Sequence, residues 1–211
     1  MDGGRLRTLG RLILAKRLGK IAAVLPATCR CVNRHAPALM QAFATACPPS
    51  SLGRQDNARQ FHDFILGHRG DPPAPGYLAD LVRVEYAAAA ATFAARDQPP
   101  APPPAPLDPA WTAFEVRAPP DLRLLETEFD LQRAMVDSPP AELERGRRRQ
   151  VAVVPGAGGA RVFWLEAETA KLLLDLREWI RMKAPDQEDA RWTVESLAAR
   201  GLVELRPCAS V

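Results

Sequence analysis

Seven of the 13 residues in "DQPPAPPPAPLDP" (97–109) are proline. Proline fixes φ and has no N–H, so neither a helix nor an interior strand tolerates this density. The segment prefers extended polyproline geometry and spaces two modules. It divides the 211 residues into 1–96 and 110–211, in keeping with a length that allows one large domain or two small ones.

The first part reads as all helical. Residues 5–25 form a basic helix with Leu6, Leu9, Leu12, Ile13 and Leu14 as its apolar members, weakened by Gly10 and Gly19 and ended by Pro26. Such a helix can lie on a membrane surface, but docking on its own domain is the expected arrangement. A second helix is expected from about Asn33 through "APALMQAFATA", stopped by Pro48 and Pro49. "NARQFHDFIL" places Phe61, Phe64 and Ile65 on one helical face, with His62 beside it as a structural or exposed residue. The helix over 77–95 carries Leu78, Leu81, Val82 and Glu85 at spacings of three and four. A carboxylate in line with an aliphatic stripe must be paired if it is buried. Glu85 is therefore expected to meet an arginine and fix this helix against its neighbours.

The second part has strand patterns. "DLRLLETEF" alternates, and "QVAVV" and "ARVFWLE" flank "PGAGG" as an antiparallel hairpin. The glycine-rich loop lacks the Lys-Ser/Thr of a phosphate loop and is followed by a strand, so nucleotide binding is excluded. "EAETAKLLLDLREWI" (166–180) reads as one amphipathic helix with Leu172, Leu173, Leu176 and Ile180 inward. "ARWTVESLAARG" is the last helix, with Gly201 as its C-cap, and "LVEL" closes as a short edge strand. The expected fold class is α+β: an N-terminal helical domain, then a small winged-helix-like module with a three-stranded antiparallel sheet.

No catalytic constellation is visible. Glu126 with Glu128, and Asp80 with Glu85, are paired carboxylates without a histidine to complete a metal site. His62 and His68 are not at the i, i+4 spacing of a helical metal pair. Cys29, Cys31, Cys47 and Cys208 have no zinc-knuckle spacing and are expected as reduced, partly buried thiols. A net charge of +3 is too mild to imply nucleic-acid binding by itself. The basic run "ERGRRRQ" (144–150) reads as a solvated approach to a strand or as an anion or nucleic-acid contact. Lys16, Arg17 and Lys20 interrupt the N-terminal apolar stretch, which argues against a secretory signal; a cytoplasmic protein is expected.

Three stretches together carry a resemblance. "QFHDFILGH…PGYLADLVRVEYA" is similar to the helical core of the HvfC-like proteins, with its pattern "F-x-x-F-L … YLADLARLEWA". "LDPAWTAFEVRAPPDLRLLETEFDLQRAM" resembles the stretch around "LHPSVRLLRSRWPV" in that family. "VAVVPGAGGARVFWLEAETAKLLLDL" is similar to its C-terminal block, where a strand ending near tryptophan precedes "L-x-x-x-E-A-x-L-L-x-x-L". The resemblance covers about residues 36–205 and rests on packing patterns that arrive in the family's order. The family's N-terminal region is described as DNA-binding and opens with "YRNN". The start found here, "RTLGRLILAKRLGKIAAVLPATCRCVNRHAP", departs from that and looks more like the methanobactin branch.

The resemblance implies a non-catalytic subunit. Its partner is a separate, MbnB-like TIM-barrel iron enzyme, so this chain holds no cofactor and the iron lies in the partner. The pair modifies a ribosomally made precursor peptide. Residues 1–96 would dock on the barrel, and 110–211 would bind the leader peptide by β-augmentation. The expected edge is 160–166, with Arg161, Val162, Phe163 and Trp164 as peptide-binding residues and Arg161 facing an acidic leader residue. The bland reading of Phe163 and Trp164 is packing of the module's own core. No membrane partner is expected. The alternative is a DNA-binding transcriptional regulator using the same helical region, although the divergent start makes nucleic acid a poor fit.

Overall fold

Pro26 ends one helix and opens the next. The computed structural model describes residues 3–96, 113–136, 138–156, 158–183 and 188–208. In it α1 (Gly3–Ala22) is followed by α2 (Pro26–His35), with Pro26 in the first turn. Proline costs nothing there, because the first N–H groups of a helix have no intrahelical acceptor. This differs from the expected start near Asn33: the "CRC" stretch is helical, and α3 (Ala38–Ala46) is a separate short helix. Cys29 and Cys31 are buried in α2, and all four cysteines are free thiols.

The helices α4 (Arg54–Gly67) and α5 (Leu78–Arg96) lie where the apolar periodicity put them. Phe43, Phe61, Leu39, Tyr77 and Leu81 are fully buried, and the Phe43 and Phe61 rings meet edge-on at 5.0 Å. The stripe Leu78, Leu81, Val82 and Glu85 is buried as a set. Asp80 and Val84, off that stripe, are buried as well, so α5 is covered on more than one side.

After α5 the described chain continues as β1 (Ala113–Arg117), β2 (Arg123–Phe129), a 3-10 turn (Leu131–Arg133), β3 (Arg145–Val154) and β4 (Arg161–Leu165). Then come α6 (Ala167–Asp175), β5 (Ile180–Lys183), α7 (Glu188–Ala199) and β6 (Glu204–Pro207). The fold is α+β. Its described strands form two sheets, in the orders β2-β3-β4 and β5-β1-β6, where a single three-stranded sheet was expected. In the second sheet β1 is the central strand and pairs antiparallel with both neighbours.

This second sheet corrects the helix expected over 166–180. The helix stops at Asp175, and Ile180 opens β5 opposite Val116 instead of facing inward. The Ala118 N–H donates to the Leu176 carbonyl at 2.6 Å, tying the helix end to the chain after β1. Phe114 and Val116 of β1 face a core with Val154, Leu173, Leu176 and Leu202. On the opposite face Arg206 Nε lies 2.6 Å from Glu115 Oε2, and Arg117 Nε 2.7 Å from Glu204 Oε2. The two guanidiniums lie 4.1 and 4.6 Å from the centre of the Trp179 ring. Gly201 closes α7 as expected, at φ +71°. Its N–H donates to Ala198 O and the Leu202 N–H to Leu197 O, the paired bonds of a Schellman end.

The chain divides into two compact units. One comprises Met1–Ala90 and Thr127–Arg148, the other Ala91–Glu126 and Arg149–Val211. The expected modules, 1–96 and 110–211, differ from these because 127–148 joins the helices. Its carbonyls explain why: Met135 O accepts from Arg30, Pro139 O bonds His35 Nε2 at 2.8 Å, and Pro140 O accepts from the Tyr77 hydroxyl. The proline-rich linker 97–109 lies outside the described residues.

Candidate functional site

The hairpin loop sets the position of the predicted peptide edge. Gly159 adopts φ +127°, a region open to glycine, and its N–H donates to Gly156 O at 3.1 Å. The Ala160 N–H then donates to Thr92 Oγ1 of α5 at 2.8 Å. From this anchored start β4 runs antiparallel to β3, with Val151 opposite Trp164, Ala152 opposite Phe163, Val153 opposite Val162 and Val154 opposite Arg161.

Among the described residues β4 pairs on one side only; β3 is its sole neighbour in the sheet. On its other side no described strand pairs with it, and an open strand edge is what the addition of an extended peptide requires. Strand alternation divides the four predicted residues into two pairs. Phe163 shares its face with Ala152 and Val154 and packs, with Leu165, on the core of its unit. Val162 and Trp164 share the other face with the fully buried Val151 and Val153, and both are half-buried. The core reading therefore fits Phe163, and all three side chains, Val162, Phe163 and Trp164, are half-buried.

Arg161 is exposed and already has a place. Its guanidinium lies so close to Gly201 that a Cβ there would come within 2.5 Å of Nη2. Gly201 ends α7, and a cation at a helix C-terminus meets the negative end of the helix dipole. Nothing in the sequence linked residues 161 and 201.

Glu85 is buried, and its partners are not the expected arginine. Oε1 accepts from the Ala27 N–H at 2.6 Å and Oε2 from the Thr28 N–H at 2.8 Å. These are orphan donors at the N-terminus of α2, whose own cap residue, Leu25, offers no side-chain acceptor. Glu85 thus caps α2 from another helix. Burial pushes its carboxyl up from the ordinary value, and the backbone donors and the charge of Arg30 pull it part of the way back. Burial, followed by the nearby Glu85 charge, pushes the Cys29 thiol up to about 12. Such a thiol stays protonated and is a poor nucleophile. Asp80 plays a similar part to Glu85: Oδ2 accepts from the Glu128 N–H at 2.6 Å and Oδ1 pairs with Arg83.

His62 stacks on Tyr86 at 4.5 Å and bonds Asp63 Oδ1 through Nδ1 at 2.8 Å, a structural arrangement as read from the sequence. The basic run around 144–150 falls inside β3, where Arg145, Arg148 and Arg149 are exposed. Arg145 Nε lies 3.4 Å from Glu128 Oε2. Among the described residues no three His, Cys, Asp or Glu side chains gather as a metal site. None of their helices is long and apolar enough to cross a membrane. No protein-family model matches the sequence, and neither does any curated protein.

Proposed function

We propose that this chain is the non-catalytic subunit of a heterodimeric, iron-dependent, peptide-modifying oxidase of the MbnC type. Its partner is an MbnB-like TIM-barrel enzyme that holds the iron, and this chain takes no cofactor. The substrate is a ribosomally made precursor peptide in which a cysteine becomes an oxazolone with a neighbouring thioamide. In this reading 110–211 is a leader-recognition module of winged-helix type, 1–96 docks on the barrel, and the pair works in the cytoplasm.

The observation that carries the reading is that, among the described residues, β4 pairs with β3 alone. An extended leader adds there as a further strand. Backbone hydrogen bonds supply affinity, and Val162 and Trp164 supply side-chain selection. The resemblance of the three sequence stretches supplies the enzyme partner. Arg161 contributes less than the sequence suggested, because its guanidinium lies at the end of α7.

The test is co-expression with the product of the adjacent gene, which this reading expects to be a TIM-barrel protein, purification through a tag on this chain, and iron analysis of each separated subunit. A tight pair whose iron follows the partner is the expected result. A chain that purifies alone and retards DNA in a salt-sensitive way would overturn the reading in favour of a regulator. Within the pair, Val162→Lys combined with Trp164→Lys lowers leader affinity by about tenfold, the effect of losing ~1.4 kcal/mol. Unchanged affinity with an intact pair would place the leader elsewhere.

A further inference from the structure

Among the described residues, little covers α1 between Thr8 and Lys16. From Thr8 to Lys16 every residue is exposed except the half-buried Leu14. Leu9, Leu12 and Ile13 are 54%, 56% and 53% exposed, and spacings of three and four put them on one side of the helix. The second half is held firmly. Ile21 is fully buried, and the buried Arg17 stacks over Phe43 at 4.2 Å. Arg17 also donates to Asn57 Oδ1 and Gln60 Oε1, each at 2.9 Å, and to the Cys47 carbonyl. An anchored helix thus presents three large aliphatic side chains to solvent. The expectation that this helix docks on its own domain fits its second half only.

The charge on this helix has one sign. Arg5, Arg7, Arg11, Lys16, Arg17 and Lys20 lie on α1, which has no Asp or Glu. Lys16 follows Leu12 by four and Ile13 by three residues, so the exposed stripe turns from aliphatic to cationic along the axis. One turn further, Lys20 Nζ donates to the Leu52 carbonyl at 2.7 Å, and Leu52 is 86% exposed.

We infer that the N-terminal half of α1 is an interfacial anchor that lies on an anionic lipid bilayer. Leu9, Leu12 and Ile13 enter the boundary between headgroups and acyl chains, and Lys16, next along the same stripe, reaches the phosphates. The other occupants fit less well. A second copy would bring another wholly basic helix against this one. A nucleic acid accounts for the cations and leaves the three aliphatic side chains in water. A protein groove closing over the stripe would bury Lys16 at its end and need a carboxylate for it. The inference is independent of the oxidase reading.

The test is sedimentation of the full chain with vesicles of phosphatidylglycerol and phosphatidylcholine in equal parts, and with vesicles of phosphatidylcholine alone. The chain is expected to sediment with the anionic vesicles about tenfold more than with the neutral ones, because surface potential adds to apolar burial. Salt at about 0.5 M, which shortens the screening length to a few ångströms, releases part of it. Leu9→Glu combined with Leu12→Glu leaves the chain in the supernatant with an unchanged melting curve, since both side chains face solvent. Equal sedimentation by that variant would overturn the inference, as would a wild-type chain that ignores anionic vesicles. A wild-type dimer in light scattering that the variant dissociates would assign the stripe to a second copy and overturn it as well.

Discussion

Glu85 shows what one buried carboxylate can do without chemistry. Its two oxygens each take a backbone N–H from the start of α2, so one side chain on α5 satisfies two orphan donors. Glu85→Ala leaves both N–H groups buried and unpaired, at a cost on the order of 3 kcal/mol, read as a lower urea midpoint. Glu85→Gln keeps one acceptor oxygen and falls between the two. A loss below ~0.5 kcal/mol in the alanine variant would mean that α2 finds its acceptors elsewhere. The carboxyl also sets a pH dependence. Its folded pKa lies above the unfolded value, so folding takes up a proton there. The associated stability is fully present below the unfolded value, ~4.3, and is lost as pH rises through the raised folded value. The melting temperature of wild type relative to Glu85→Gln should therefore fall as pH rises from about 4.3 through the raised folded value. A rise over that window would mean that the backbone donors outweigh burial.

At the level of elements, local sequence was readable wherever a local rule governed. The periodicity of α4 and α5, the glycine-rich hairpin and the Gly201 stop of α7 all depend on residues within a few positions of one another. Gly201→Ala is expected to cost about 1–2 kcal/mol, because alanine meets both the strain at φ +71° and the Arg161 guanidinium. A denaturant midpoint equal to wild type would show that the Arg161 side chain simply moves away. Elements formed by distant partners were not readable. Trp179 and Ile180 continue the pattern of α6 well enough to pass as helix, and only pairing with β1, more than 60 residues earlier, makes 180–183 a strand. Pro26 looked like a terminator because its second role depends on an acceptor that comes from Glu85. The candidate site was legible in part. The edge and its alternating side chains follow from the hairpin, whereas the place of Arg161 at Gly201 follows from a fold the sequence does not spell out.

For the whole molecule, the informative fact is that the two units are interleaved along the chain. The helical unit needs Thr127–Arg148, which follows residues of the other unit in sequence. A fragment of residues 1–96 lacks Phe129 beside the buried Tyr77 ring, the Pro139 and Pro140 carbonyls, and the Glu128 N–H that Asp80 accepts. It should show helical circular dichroism without a cooperative melt, while the full chain melts cooperatively. A sharp transition in the fragment would show that the later segment is dispensable. The same interleaving orders events on the ribosome. Synthesis of residues 91–148 takes about 3 to 12 s at ~5–20 residues per second, and until it ends the nascent helices lack the strand and carbonyls that complete their core. For that interval the Tyr77 hydroxyl lacks the Pro140 carbonyl and an apolar surface waits uncovered, so the newborn chain has a built-in delay during which a chaperone meets it unfinished.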